Sequence, residues 1–218
     1  MLKMLKKEFA LCLHPTAILF LFMGFMVFIP NYPYEVIFFF SGLSVFFICL
    51  TARENGDLAF SILLPVKKSL VPLARIVMAV ILQVTLLVIT AVAITVKQLV
   101  LPADMQINLA GNMANVAFIG FGALVCGVFN VTFFPLHFKK PDKVGVPFVI
   151  ASAAVFALIG ILIVLRWTVP FFSETICTVD PTNIVSKIIV LVVGLCLYAL
   201  LTVCSVLISA KRFEKVDF

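Results

Sequence analysis

Charge is scarce in this chain. Asp, Glu, Lys and Arg make up 12% of its 218 residues, against 64% apolar residues and a mean hydropathy of +1.26. A soluble domain carries about 25% charge and 45–50% apolar residues. This much apolar surface cannot be hidden inside one body in water, so the chain must cross a membrane several times. Other absences narrow the function. No GxxxxGK[ST] sequence occurs, so the chain cannot build a phosphate-binding loop of that kind. Cys12, Cys49, Cys126, Cys177, Cys196 and Cys204 show no metal-ligand spacing with the two histidines. Most of these cysteines lie in apolar runs, where they act as small hydrophobes; only Cys177 falls in an external loop. His14 and His137 flank spans and read as interfacial side chains rather than ligands. The net charge of +6 comes without any basic run interleaved with aromatics, which argues against a nucleic-acid partner.

What is present is a series of apolar blocks. They predict an all-α polytopic membrane protein with a single domain over 1–218. Residues 1–15 form an interfacial segment: Leu2, Leu5, Phe9 and Leu13 recur at helical spacing, Lys3 and Lys7 lie on another face, and His14-Pro15 breaks the helix. No small-x-small cleavage site follows, so the segment is expected to be retained. Six spans follow, at 16–29, 34–51, 76–96, 116–134, 146–165 and 187–210. The first is short for a hydrocarbon core about 30 Å thick. It ends in Pro30-Asn31-Tyr32-Pro33, with Tyr32 and Tyr34 suited to the headgroup level. The external piece at 166–186 carries Trp167, Phe171 and Phe172 among helix breakers. Those rings are expected to dip into the outer interface as short helices or a re-entrant piece.

Thirteen of the sixteen basic residues fall in segments on the side of the N-terminus; Lys97, Arg166 and Lys187 fall on the other. Positive charge marks the cytoplasmic side, so both termini are expected inside the cell, in the plasma membrane. The central parts of the six spans contain no Asp, Glu, Lys, Arg or His. Mid-membrane charge usually marks an ion path or proton relay, so an ion-coupled carrier and a membrane-embedded hydrolase are both disfavoured. Gln83, Thr85 and Thr90 in the third span and Asn130 and Thr132 in the fourth are read either as interhelical hydrogen bonds or as polar points on a translocation path. The small residues Gly120, Gly122, Ala123, Gly127, Ala153, Ala157 and Gly160 allow close helix approach.

The loop at 52–75 is the longest polar interruption before the last quarter of the chain. Gly56 can hinge it, and Asp57 can cap a short helix. The apolar residues up to Leu64 could fill a groove on a partner. Pro65 ends that helix, and Ser69 can cap the next.

Three stretches carry a family resemblance: MLKMLKKEF with the CLHPTAILFLFMG that follows, IPNYPY, and RENGDLAFSILLPVKKSLVPLAR. They resemble the ABC-2 type transporter permeases, above all the small six-span subfamily that includes peptide and phenol-soluble modulin exporters of Gram-positive bacteria. The resemblance implies an elbow helix at 1–15 and a coupling helix in the 52–75 loop that docks on a separate ABC ATPase. It also implies an outer gate at 166–186 and an assembly of two permeases with two ATPases. ATP and magnesium would sit on the ATPase; this chain would hold no cofactor, metal or catalytic residue. The docking residues expected on this reading are Arg53, Glu54, Asp57, Phe60, Leu63, Leu64, Lys67 and Lys68. Gln83, Thr90 and Asn130 would mark the path, and Trp167, Phe171 and Phe172 the gate. The uncharged spans suit an amphipathic peptide or a lipophilic compound as substrate. The competing expectation is a membrane scaffold or sensor that recruits an ATPase and transports nothing.

Overall fold

A computed structural model describes residues 2–216, apart from the side chains of Ala103 and Asp104. Met1 of the elbow and Asp217 and Phe218 of the charged tail lie outside the described residues. Among the described residues the chain is helical, without strands. Eight α-helices follow in order: α1 Leu2–Leu11, α2 Pro15–Leu19, α3 Val36–Glu54, α4 Asp57–Leu63, α5 Leu70–Val100, α6 Val116–His137, α7 Gly145–Thr168 and α8 Ile184–Phe213. Five of them (α3, α5, α6, α7 and α8) are long and apolar enough to cross a membrane. The bent pair formed by α1 and the segment Pro15–Phe28 raises the number to six if it is counted as one span.

That pair meets at 99°. The cause is local. Pro15 stands in the first turn of α2, where its missing N–H costs nothing. His14 caps the helix, its Nδ1 accepting from the Thr16 amide at 3.2 Å, while its ring stacks on Phe47 at 5.4 Å. After α2 the chain tightens into a 3-10 helix over Phe20–Phe28. Such a helix rises about 2.0 Å per residue, so residues 15–28 reach roughly 25 Å rather than roughly 21 Å. The short first span is thereby stretched towards the thickness of a hydrocarbon core.

Helix α6 is the hub. It packs most extensively on α8, and glycines let the two backbones touch. A methyl group on Gly120 would lie 2.6 Å from the Val190 carbonyl oxygen, and one on Gly194 would collide with the Gly120 carbonyl. On its other side, Gly122 leaves room for the ring of Phe38 from α3, which packs on Phe118 at 4.9 Å. The phenylalanines of α3 also seat α7: Phe39 meets Phe156 at 4.7 Å and Phe46 meets Phe148 at 4.5 Å. Helix α7 buries a single stripe, Pro147, Ala151, Val155, Ile159, Leu162 and Arg166. The small residues Ala153, Ala157 and Gly160 face outward instead, with no neighbour packed on Gly160.

Helices α5 and α8 overrun the spans predicted for them. At 31 and 30 residues they are roughly 45 Å long, beyond a core about 30 Å thick. Arg75 and Lys97, expected in loops, therefore lie within a helix, Lys187, expected to open the sixth span, lies a turn inside α8, and all three are buried. Arg212 donates to the Pro135 carbonyl at 2.8 Å and Lys68 to the Val216 carbonyl at 3.4 Å. The α4–α5 turn, the α6–α7 turn and the end of α8 thus gather at one lysine-rich end of the bundle.

Candidate docking surface and its ionic latch

The polar loop is shorter than the sequence suggests, because α3 runs to Glu54 and α5 begins at Leu70. Gly56 turns the chain with φ +61°, a left-handed conformation that glycine adopts without a Cβ penalty. Gly56, rather than Asp57, occupies the cap position of α4.

The two faces of α4 differ. Asp57 and Ser61, four residues apart and so on one face, are both 1% exposed. Phe60 is 49% and Leu63 84% exposed on the other. Arg53 and Glu54 at the end of α3, and Lys67 and Lys68 after α4, are also exposed and rim the apolar pair. Two residues expected on the docking face are not there. Leu64 is half-buried against the core, because the chain turns to an extended conformation after Leu63. Asp57 points inward because two cations hold it.

Those cations are Lys7 of α1 and Arg75 of α5. Arg75 Nη2 donates to Asp57 Oδ2 at 2.6 Å, and Arg75 Nε pairs with Oε2 of Glu8. Lys7 Nζ lies 2.7 Å from Asp57 Oδ1 and 2.9 Å from Glu8 Oε1, close enough for ion pairing without hydrogen-bond alignment. It donates to Ser61 Oγ at 2.6 Å, and Ser61 Oγ donates to the Asp57 carbonyl at 2.7 Å. Asn55 Nδ2 adds a bond to the Leu11 carbonyl at 2.7 Å. Two cations and two carboxylates therefore tie α1, α4 and α5 together with no net charge. Burial alone would raise the Glu8 carboxyl, but Arg75 and then Lys7 outweigh it and hold the group below the usual carboxylate range. Burial pushes the Cys12 thiol up. Glu8, Cys12 and Asp57 place ligand atoms within 4.8 Å of one another, the spacing of a metal site. Their charge is already matched by Lys7 and Arg75, so the cluster fits an ionic latch better than a cation site.

Sequence reasoning missed Glu8, Ser61 and the pairing roles of Lys7 and Arg75. One signal was available: Glu8 is the only acid among the lysines of the elbow.

Two of the three polar residues predicted for a path, Gln83 and Asn130, are joined to each other inside the bundle. Gln83 and Asn130 exchange hydrogen bonds at 2.8 and 2.9 Å between α5 and α6. From α8, Tyr198 donates to Gln83 Oε1 at 2.9 Å, Ser205 to the Asn130 carbonyl at 2.7 Å, and Thr202 accepts from Asn130 at 3.2 Å. Thr90 stands apart, donating to the Leu86 carbonyl one turn back at 2.8 Å. All three residues are buried.

At the opposite end, Glu35 Oε1 accepts from the Asn112 backbone amide at 2.7 Å and from its side chain at 2.5 Å. Cys177 donates to Asn112 Oδ1 at 2.8 Å, and burial raises its thiol. Arg166 donates to the Asn108 carbonyl at 2.7 Å. Tyr34 is buried rather than interfacial, its hydroxyl accepting from Lys97 at 2.7 Å. His137 is likewise buried, stacked on Phe133 at 5.5 Å. In the predicted gate, Trp167 and Phe171 are exposed beside a π-helical turn at Phe172–Ile176, while Phe172 stacks on Phe121 at 6.2 Å.

Comparison with curated proteins and with solved structures finds no match. The family described as ABC-2 family transporter protein matches residues 3–214, nearly the whole chain. The elbow, the apolar helices and this match make the chain a multi-pass membrane component of an ABC transporter, and it belongs to the ABC-2 transporter family.

Proposed function

We propose that the chain is the permease subunit of an exporter driven by a separate ABC ATPase. Both termini and the lysine-rich end face the cytoplasm, as the charge distribution favours. Helix α4 is the docking helix: Phe60 and Leu63 enter a groove on the ATPase, and Arg53, Glu54, Lys67 and Lys68 meet its polar rim. The observation that carries this reading is the two-faced character of α4. A helix too short to be stable alone holds one face to α1 and α5 through Asp57 and Ser61, and leaves a bare apolar pair on the other. A push on the bare face passes through Asp57 to the elbow and to the third span.

Two permeases and two ATPases form the working unit. The apolar outer faces of α5, α7 and α8 offer surface for the second copy as well as for lipid. The cargo is an amphipathic peptide or a lipophilic compound, in keeping with an interior whose central hydrogen-bond network is neutral.

The test is co-purification with a co-expressed ABC ATPase, followed by ATP-dependent flux of a fluorescent amphipathic peptide into vesicles. Phe60→Asp with Leu63→Asp is expected to abolish both association and flux while the permease still folds. Undiminished association in that variant contradicts the docking assignment. Association without any ATP-dependent flux in the parent protein favours the scaffold reading instead.

A further inference from the structure

The α6–α7 turn takes no part in the latch or the docking face, yet it builds a site of its own. Lys139, Lys140 and Lys143 line a cavity of about 200 Å³ together with Leu136, Val146, Pro147 and Ile150. None of the three lysines makes an ion pair among the described residues. Asp142, the one acid in the turn, is exposed and pairs with none of them. The turn is ordered by its own backbone: the Lys140 amide donates to the His137 carbonyl at 3.1 Å and the Lys143 amide to the Lys140 carbonyl at 3.0 Å. Pro141 is buried beneath it. Three like charges are thus held around one cavity without a counter-charge, an arrangement that favours an anion from outside.

The walls specify what carries the anion. Beyond the lysines, α7 presents Val146, Val149, Ile150 and Phe156, all exposed large apolar side chains running along the helix away from the turn. A water in the liquid occupies about 30 Å³, so the cavity takes a headgroup phosphate but not a whole lipid. Acyl chains would lie along the α7 face. The first turn of α7 opens on the same cavity with no side-chain cap, which adds a partial positive charge.

We propose that this cavity is a binding site for the phosphate of an anionic phospholipid, whose chains lie on the exposed face of α7. Placement in the inner leaflet rests on the orientation given under Proposed function; binding itself does not. Each lysine near an anionic surface contributes a factor of about five, so neutralising all three should weaken binding by about two orders of magnitude.

The experiment is native mass spectrometry of the purified full chain titrated with phosphatidylglycerol or phosphatidylcholine. A thermal-shift titration with the same lipids runs in parallel, with inorganic phosphate as a competitor. The triple variant Lys139→Gln, Lys140→Gln, Lys143→Gln is compared with a control of equal charge change, Lys3→Gln, Lys6→Gln, Lys67→Gln. The expected result is phosphatidylglycerol retained by the parent and the control but not by the triple variant. The parent's thermal midpoint should rise with phosphatidylglycerol and not with phosphatidylcholine. Equal retention in the triple variant overturns the site, and equal loss in the control reduces it to general surface charge. Displacement by millimolar inorganic phosphate overturns the lipid and leaves a free-phosphate site. A triple variant that fails to fold leaves the parent's lipid selectivity and phosphate competition to decide.

Discussion

The two ends of the bundle bury charge in different ways. At the lysine-rich end, Lys7, Glu8, Asp57 and Arg75 meet ion to ion and join α4 and α5 to the distant α1. At the other end, Glu35 accepts both Asn112 bonds on its Oε1, Arg166 donates to a carbonyl, and Lys97 to a carbonyl and the Tyr34 hydroxyl. Lys187 with Asp180, at 3.0 Å, is the ion pair there among the described residues. Ion-to-ion pairing depends strongly on both partners being in place. Amide and carbonyl partners hold a loop with smaller individual consequences. The first arrangement suits elements that must move as one; the second suits a cap over helix ends.

This contrast can be broken by removing one charge at each end. Arg75→Met leaves two buried carboxylates with Lys7 as their one cation, so it should cost about 3–5 kcal/mol and collapse the folded yield. Unfolding in a denaturing-detergent titration checks it. Glu35→Ala leaves the Asn112 donors unpaired and should cost about 2 kcal/mol, while Glu35→Gln, which keeps one acceptor, should cost about half that. Equal losses for Arg75→Met and Glu35→Ala would erase the distinction between the ends. Between them, a double-mutant cycle on Gln83→Ala and Asn130→Ala should return a coupling of about 1 kcal/mol, as interhelical hydrogen bonds in membranes do. A coupling near zero would free these residues for a path role.

The smallest effect is a pH dependence. The Glu8 carboxyl is held below its reference value of 4.5 in the folded chain. Its contribution to stability is therefore complete above about pH 4.5 and is lost as the pH falls through the lower folded value. The thermal midpoint in detergent should drop on acidification, and Glu8→Gln should flatten that part of the curve.

Much of this arrangement can be read from the sequence, and the remainder has a physical reason for being hidden. The apolar blocks announce α3, α5, α6, α7 and α8 because a helix in lipid needs a long uncharged run. Pro15 announces the elbow bend because its ring restricts the backbone, and Gly56 announces the turn before α4 because glycine freely adopts the left-handed conformation that the turn needs. The buried face of α4 could not be read this way. Asp57 looks like a solvated helix-start residue until Lys7 and Arg75, 50 residues before it and 18 after it, are folded against it. Leu64 looks equivalent to Leu63 until the chain direction changes between them. Gln83 and Asn130 stand out as polar residues in apolar helices, but their hydrogen bonds to each other exist only once α5 and α6 are in register.

Helix α4 is proposed to dock with one face and to transmit with the other. Lys7→Gln with Asp57→Asn tests that most directly, since it removes a cation and an anion together and leaves Phe60, Leu63, Arg75 and Glu8 in place. In vesicles holding this variant and its ATPase, the decisive quantity is ATP-driven peptide flux per docked ATPase. Normal association is expected, with flux reduced about tenfold or more, equivalent to at least about 1.4 kcal/mol of lost coupling. Normal association with undiminished flux would contradict it.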